Sequence, residues 1–244
     1  MSTKIYDILI DGLPQDLTVS RVQQGRSWSL AALSNGGAGI CARMGDASAE
    51  LLAPGTPLKE FAKGIYSKDL GEAALALAAM NAFYNTPQRV RELSAFCSMD
   101  VFCAQGIPLS GKTVGVIGHM KRTAENLSNA DRVFIFELDP RPGDLPASRE
   151  EELLPRCDLV IVTATALINH TLPQIIEWSK NGRVILLGPS APMCPGLFRA
   201  GISRISGCIL KNPDGFYDWN QENRGSPMGF CENYLLIDEK KDGS

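Results

Sequence analysis

Residues 113–118 (TVGVIG) begin a series of five short apolar stretches that decide the fold of the C-terminal half. The other four read RVFIFEL at 132–138, DLVIVTA at 158–164, RVILLGP at 183–189 and RISGCIL at 204–210. Continuous runs of Val, Ile and Leu are typical of parallel strands, because both faces of a parallel sheet are covered. Helix-compatible segments separate these runs, as right-handed crossover connections require. The pattern predicts an α/β fold with a parallel sheet.

The first hundred residues have a different pattern, which predicts a smaller α+β unit. Apolar positions at helical spacing predict a helix in residues 3–13. Residues 20–33 and 35–44 read as two strands of a β-hairpin. Three more helices are predicted, the first entered through a proline and the second rich in alanine, at 57–65, 70–84 and 87–97. At the other end of the chain, a last apolar run at 232–238 fits an edge strand or a return onto the first unit. We expect two domains, residues 1–105 and 106–244.

Composition excludes several classes of function. The chain has 24 Lys and Arg residues against 27 Asp and Glu residues, a net charge of −3, so we expect neither a nucleic-acid nor a membrane partner. No apolar run approaches the roughly 20 residues that cross a bilayer. The first residues do not read as a secretory signal, so we expect a cytoplasmic protein. Seven scattered cysteines and only two histidines favour neither a disulfide framework nor a zinc site.

Residues 106–113 (GIPLSGKT) match the letter pattern of a phosphate-binding P-loop. A P-loop lies between a strand and a helix, so that successive backbone amides converge on phosphate. Here Lys112 and Thr113 lead directly into a strand, and Pro108 has no amide hydrogen. We therefore do not expect a nucleoside triphosphate at this segment.

The first two predicted strands end where ligands of open α/β sheets bind, at the carboxyl edge. Gly118 supplies the first glycine of a dinucleotide-binding fingerprint, but larger residues replace the second and third. Glu137 stands 19 positions later, where such folds present an acidic group to ribose hydroxyls. The alternative reading of Glu137 is a solvated loop carboxylate or a helix cap.

The third and fourth predicted strands are followed by small and hydrogen-bonding residues: Thr163, Thr165, Asn169, Gly188, Pro189 and Ser190. Buried polar groups need partners, which a helix cap or a bound ligand can supply. Capping of the next helix explains part of the cluster after the third strand. We predict that three consecutive strand ends converge on one crevice.

Two features of the N-terminal unit have two readings each. Gly36 and Gly37 form either the turn of a hairpin or a backbone nest for an anion. Asn81 interrupts an apolar helix, and a buried amide needs a partner outside that helix. The partner is either the other domain or a ligand.

Six regions carry a resemblance to a known family: GRSWSLAAL and NGGAG within 25–39, MNAFYN at 80–85, GKTVGVIGHM at 111–120, FELDPRPGDLPAS at 136–148, DLVIVTATALINHT at 158–171 and LLGPSAPM at 186–193. Together they span nearly the whole chain and resemble the putative heavy-metal chelation family. The resemblance implies an enolase-N-terminal-like domain followed by a Rossmann-like domain, with a site between the two. It also implies a role in making or handling metal-chelating molecules such as siderophores, pterins or flavins.

The family's motif residues carry over to twelve positions of this chain: Gly36, Gly37, Asn81, Gly118, Glu137, Asp144, Thr163, Thr165, Asn169, Gly188, Pro189 and Ser190. His119 departs from the family pattern. Its unperturbed pKa near 6.5 suits proton transfer, so His119 and Glu137 are the two candidate acid–base groups. The alternative for His119 is a role in packing or at a helix start.

Three functions remain open. The first is an enzyme that carries out condensation or hydrolysis on a small polar or heterocyclic molecule, with Glu137 or His119 moving protons. In this reading the substrate is oriented by four side chains, those of Asn81, Thr165, Asn169 and Ser190, and the amides around Gly36, Gly37 and Gly188 stabilise negative charge. The second is a protein that binds a metal chelate without transforming it. The third is an enzyme that depends on NAD or S-adenosylmethionine. The sequence identifies neither a cofactor nor a metal site, and it is compatible with a homo-oligomer.

Overall fold

A computed structural model describes residues 4–47, 54–93, 95–97, 106–118, 120 and 123–238. Its N-terminal part begins with helix α1 (Lys4–Asp11) and continues into an antiparallel sheet of β1 (Val19–Gln24), β2 (Trp28–Leu33) and β3 (Ala38–Ala42). The prediction of one hairpin is wrong in one respect, because residues 20–33 form two strands. The chain turns at Gly25, whose amide donates to the Trp28 carbonyl at 2.9 Å. A Cβ at Gly25 would lie 2.2 Å from the Asn220 side chain, so only glycine fits this turn.

Three helices follow, as predicted: α2 (Leu58–Ala62), α3 (Leu70–Tyr84) and α4 (Pro87–Glu92). Asp69 caps the N-terminus of α3, because its carboxylate accepts hydrogen bonds from the amides of Gly71 and Glu72. Nearly every residue of α3 is buried, which explains its uninterrupted run of Ala and Leu. The helix packs directly on the sheet, since a Cβ at Gly39 of β3 would lie 2.2 Å from the Ala82 nitrogen.

The C-terminal part is a mixed sheet of eight strands. Its strands and helices are β4 (Phe96–Cys97), β5 (Thr113–Ile117), α5 (Thr123–Asn126), β6 (Arg132–Glu137), β7 (Leu145–Pro146), α6 (Glu150–Leu153), β8 (Leu159–Thr163), α7 (Leu172–Trp178), β9 (Arg183–Leu187), β10 (Ile202–Leu210), α8 (Pro213–Glu222) and β11 (Cys231–Ile237). The spatial order is β4-β11-β10-β9-β8-β5-β6-β7. All five predicted strands are present, and they pair in parallel. The predicted α/β class is therefore confirmed.

Strand β8 shows why these runs are apolar on every residue. Val160 and Val162 belong to one buried cluster, while Leu159 and Ile161 belong to another on the opposite face of the sheet. All four side chains are at most 2% exposed. Two-sided burial of this kind is the feature that the sequence pattern predicted.

Of the two readings of the last apolar run, the edge strand is wrong, and the run instead pairs with a segment from the first hundred residues. Strand β11 is not an edge, because it pairs antiparallel with β10 on one side and with β4 on the other. The polar segment before it contains α8, which the sequence analysis missed. Asn220 of α8 donates hydrogen bonds to Gln23 Oε1 and to the Trp28 carbonyl. These bonds connect the N-terminal sheet to the C-terminal part. Among the described residues, no helix has both the length and the apolar character that a bilayer crossing requires.

Candidate functional site

A cavity of about 390 Å³ lies at the carboxyl ends of β5, β6 and β8. Its polar lining consists of Gly118, Glu137, Glu150, Thr163, Thr165, Asn169 and Thr171. Its apolar lining consists of Met44, Ile117, Met120, Phe136, Leu138, Ala147 and Ala166. Met44 follows β3 in the N-terminal part, so both parts of the chain contribute to the cavity. Five residues predicted from the strand ends therefore share one space: Gly118, Glu137, Thr163, Thr165 and Asn169.

Gly118 ends β5 in a conformation that favours glycine. Its φ is +96°, and its amide donates to the Phe136 carbonyl at 2.9 Å. A Cβ at this position would lie 3.0 Å from Cγ2 of Thr163. Glycine at position 118 thus lets the chain turn away from the sheet, and it also allows the close approach of the backbone to Thr163 at the end of β8.

The residues after β8 bond to one another and leave donor capacity for a ligand. The hydroxyl oxygens of Thr163 and Thr165 are 3.1 Å apart and share one hydrogen bond. Asn169 Oδ1 accepts from the Thr171 hydroxyl at 2.8 Å and from the Thr171 amide at 3.3 Å. Thr171 precedes α7, but its side chain does not cap that helix. In the described part of the chain, the Asn169 amino group has no protein partner, which leaves it available to an acceptor in the cavity.

His170 lies between two cavity residues in a strained conformation. Its φ is +63°, and it is the one non-glycine residue with positive φ in the described ranges. Its Nε2 donates to the Ile65 carbonyl at 2.7 Å, and its ring packs edge-on against Tyr6 at 5.6 Å between centroids. Contacts with the N-terminal part therefore hold the backbone that presents Asn169 and Thr171 to the cavity.

The two carboxyl groups of the cavity have different surroundings. Glu137 ends β6, is half-buried, and accepts a hydrogen bond from the Leu138 amide at 3.1 Å. Glu150 is the first residue of α6 and is only 7% exposed. Burial raises the pKa of Glu150 from 4.5 to about 7, because removal from water disfavours the charged form.

Glu150 was not predicted from the sequence. It is one of three consecutive glutamates at the start of a helix, where acidic residues are common because they complement the helix dipole. Glu151 and Glu152 are exposed, as is usual for such residues, whereas Glu150 is buried and lines the cavity. No local signal in the sequence separates the three.

Several other predicted residues do not line this cavity. Gly36 and Gly37 form the tight turn between β2 and β3, and a Cβ at Gly37 would lie 2.4 Å from the Ala82 carbonyl oxygen. Asn81 is fully buried and donates to the carbonyls of Ile40 and Ser190 at 2.9 and 3.0 Å. The partner of the Asn81 side chain is therefore the other part of the chain and not a ligand, which were the two alternatives given above.

The turn after β9 also serves the contact between the two parts. The Ser190 hydroxyl accepts from the Ala42 amide at 2.9 Å. Gly188 has a φ of +116° and donates from its amide to the Ser206 carbonyl, while the Pro189 carbonyl accepts a weak bond from the Cys208 thiol. The Asp144 carboxylate accepts from the Arg141 amide in a surface turn. His119 lies outside the described residues, so its assignment as an acid–base group stays a prediction.

The donor atoms of the cavity do not fit a heavy-metal ion bound directly by protein. Soft metal ions prefer thiolate and imidazole ligands, but the cavity supplies carboxyl, hydroxyl and amide groups with two Met thioethers. All described cysteines outside β4 are buried and free, and burial raises the pKa of Cys41 to about 12 and that of Cys157 to about 11. Within the described ranges, no group of three His, Cys, Asp or Glu residues is placed to hold a metal.

A second cavity, of about 400 Å³, lies at the opposite end of the sheet and includes part of the P-loop-like segment. Lys112 Nζ lies 3.1 Å from the Asp158 carboxylate, and the Thr113 amide donates to the same carboxylate at 2.8 Å. Both groups that a P-loop would direct at phosphate are thus bound within the protein.

Comparisons with known proteins place the chain in a family. The models of DUF4213 and DUF364, both described as "Putative heavy-metal chelation", match residues 6–84 and 106–229. An uncharacterized protein of Methanocaldococcus jannaschii is 29% identical over 168 residues, which are 64% of this chain and 62% of that protein. The chain therefore spans less than two thirds of the length of this curated relative.

Two solved structures have the same fold. A DUF364-family protein of unknown function from Desulfitobacterium hafniense is 29% identical, with a TM-score of 0.89 over 97% of this chain and 99% of that one. A second from Pyrococcus horikoshii is 18% identical, with a TM-score of 0.78 over the same shares of the two chains, and shows the fold alone. With a family model matching more than half of its length, this chain belongs to the putative heavy-metal chelation family.

Proposed function

We propose that this protein is an enzyme that acts on a small organic molecule in the strand-end cavity, by condensation or hydrolysis, in the metabolism of a metal-chelating compound. One observation carries the proposal: residues from three separate strand ends and one residue of the N-terminal part surround a single cavity. A volume of about 390 Å³ suits a molecule of metabolite size. The metal would enter with such a molecule, because the described donor groups do not form a metal site.

The lining supports recognition of a molecule that is partly flat and apolar and carries polar groups on its edge. Met44, Met120 and Leu138 offer apolar contact, and Met side chains adapt to irregular shapes. The Asn169 amino group donates to a carbonyl or ring nitrogen. The Thr163–Thr165 pair and Glu137 accept hydrogen bonds from N–H or O–H groups of the ligand.

A binding and turnover screen tests this function. The wild-type protein is incubated with pterins, flavin precursors and metallophore intermediates, and also with NAD and S-adenosylmethionine, and is followed by thermal shift and by mass spectrometry of products. We expect at least one compound to raise the melting temperature and to be converted. Thr165→Val should reduce the thermal shift, whereas Ser128→Ala, on an exposed turn away from the cavity, should leave it unchanged. The proposal is rejected if no compound raises the melting temperature, or if a compound raises it equally in the wild type and in Thr165→Val.

Carriage of a metal chelate without chemistry is the second candidate, favoured by the mismatch between the described donor atoms and a bare heavy-metal ion. Native mass spectrometry of protein purified without added metal separates the two. Stoichiometric chelate that survives incubation unchanged would support carriage. A metal ion bound in stoichiometric amount without a chelator would show that the protein has a metal site, and would contradict both candidates.

A further inference from the structure

Glu150 differs from every other carboxyl group described in this chain by combining burial, cavity access and the lack of a partner. It is 7% exposed and lines the strand-end cavity. Within the described part of the chain, its carboxyl group makes no hydrogen bond and no ion pair. An ionised carboxylate in such a place would lose its hydration without compensation, so the neutral acid is the favoured form.

We propose that Glu150 is the proton donor of this cavity: a buried carboxylic acid that keeps its proton into the neutral pH range and gives it to the bound ligand. The assignment rests on the proposed function and adds a residue that the strand-end pattern did not indicate. It also separates the roles of the two carboxyl groups, because Glu137 is half-exposed and hydrogen-bonded to the Leu138 amide. A pair of carboxyl groups in unlike surroundings is the usual basis of an acid and a base in one site.

The neighbouring charges do not account for the neutral state of Glu150. Among the described residues, the titratable groups on the elements packed around it are Arg132 and Glu137 on β6, Glu177 on α7, Glu151 and Glu152 on its own helix, and Arg149 and Arg156 in the flanking turns. Burial is the one cause of its raised pKa of about 7. The nearest sequence neighbour of opposite charge, Arg149, pairs with Glu152 instead.

For hydrolysis, the chemistry follows from this division of roles. The oxygen of a water molecule bonds to an electrophilic carbon of the ligand while Glu137 takes a proton from that water. The bond from this carbon to a leaving nitrogen or oxygen breaks, and the leaving atom keeps the electron pair and takes the proton of Glu150. Exchange with solvent returns the proton from Glu137 to Glu150. Condensation is the same sequence in reverse.

Two measurements on the intact protein test the assignment without a known substrate. The first is carbon-13 NMR titration of the glutamate side-chain carboxyls, in which one resonance should titrate near pH 7 and disappear in Glu150→Gln. The second is reaction with dicyclohexylcarbodiimide, followed by peptide mapping. This reagent takes the proton of a carboxylic acid on one nitrogen, and the carboxyl oxygen bonds to its central carbon, so no oxidant or reductant is needed.

We expect the carbodiimide to modify Glu150 at pH 7, with a yield that falls about tenfold for each pH unit above 7. Glu151→Gln, an exposed position on the same helix that leaves the Arg149–Glu152 pair intact, is the matched control and should keep the adduct. Titration of all glutamates near 4.5, or a late-titrating Glu150 that the reagent does not modify, would overturn the assignment. A modified, late-titrating Glu150 together with a failed ligand screen would instead reject the proposed function and retain the proton donor.

Discussion

Replacement of Glu150 by Gln should stabilise the protein at pH 8 and have little effect at pH 4. Gln has nearly the same shape as the neutral acid and cannot ionise. The wild-type carboxyl, in contrast, must either keep its proton or become charged in a buried position as the pH rises. The difference in unfolding free energy between the two proteins therefore reports the cost of that charge.

The size and sign of the effect follow from the pKa of Glu150, which folding raises from 4.5 to about 7. Between these values the folded state binds more protons than the unfolded state, so wild-type stability falls as the pH rises and levels off above pH 7. Each unit of pKa difference corresponds to about 1.4 kcal/mol, which gives about 3 kcal/mol in total. Glu150→Gln lacks this loss.

Urea unfolding of both proteins at half-unit steps from pH 4 to pH 8 measures this difference. We expect Glu150→Gln to gain about 3 kcal/mol over the wild type across this range, most of it between pH 5 and pH 7. Glu151→Gln, which is exposed and leaves the Arg149–Glu152 pair intact, is the control and should lack this gain. A flat difference for Glu150→Gln, or one that grows as the pH falls, would refute the reasoning from burial.

Three further substitutions test the packing that positions the cavity. Asn81→Ala removes the donor to two buried carbonyls that join the two parts of the chain, and should cost about 3 kcal/mol in urea unfolding; a loss below about 1 kcal/mol would contradict this. Gly37→Ala should lower the melting temperature more than Gly36→Ala, because a Cβ at Gly37 meets a main-chain oxygen of α3 at 2.4 Å, whereas alanine at Gly36 faces open space and bears only the strain of a φ of +85°. His170→Ala should be less stable than His170→Gly by about 1 kcal/mol, since both lose the same hydrogen bond but only alanine is strained at a φ of +63°; the reverse order would show that the strain is absent.

The elements that could be predicted are those whose burial is visible in their own amino-acid sequence. The five parallel strands are apolar on every residue because both faces are covered, and α3 is a run of Ala and Leu because it is buried on all sides. Helix α8 was missed because its apolar residues, Phe216, Tyr217 and Trp219, stand within a mostly polar segment. Its one fully buried polar residue, Asn220, bonds to Gln23 and Trp28 of a sheet far away in the sequence.

The sequence by itself determined which residues stand at the carboxyl ends of the strands, and parallel pairing then brings such residues to one edge. Tertiary structure decided their use: Gly118, Glu137, Thr163, Thr165 and Asn169 line the cavity, whereas Asn81 and Ser190 hold the two parts together. It also decided that Glu150 is buried while the next two glutamates face solvent. The physical reason is that desolvation depends on the surroundings of a side chain in the folded protein. Three identical residues in a row do not indicate which of them will be buried.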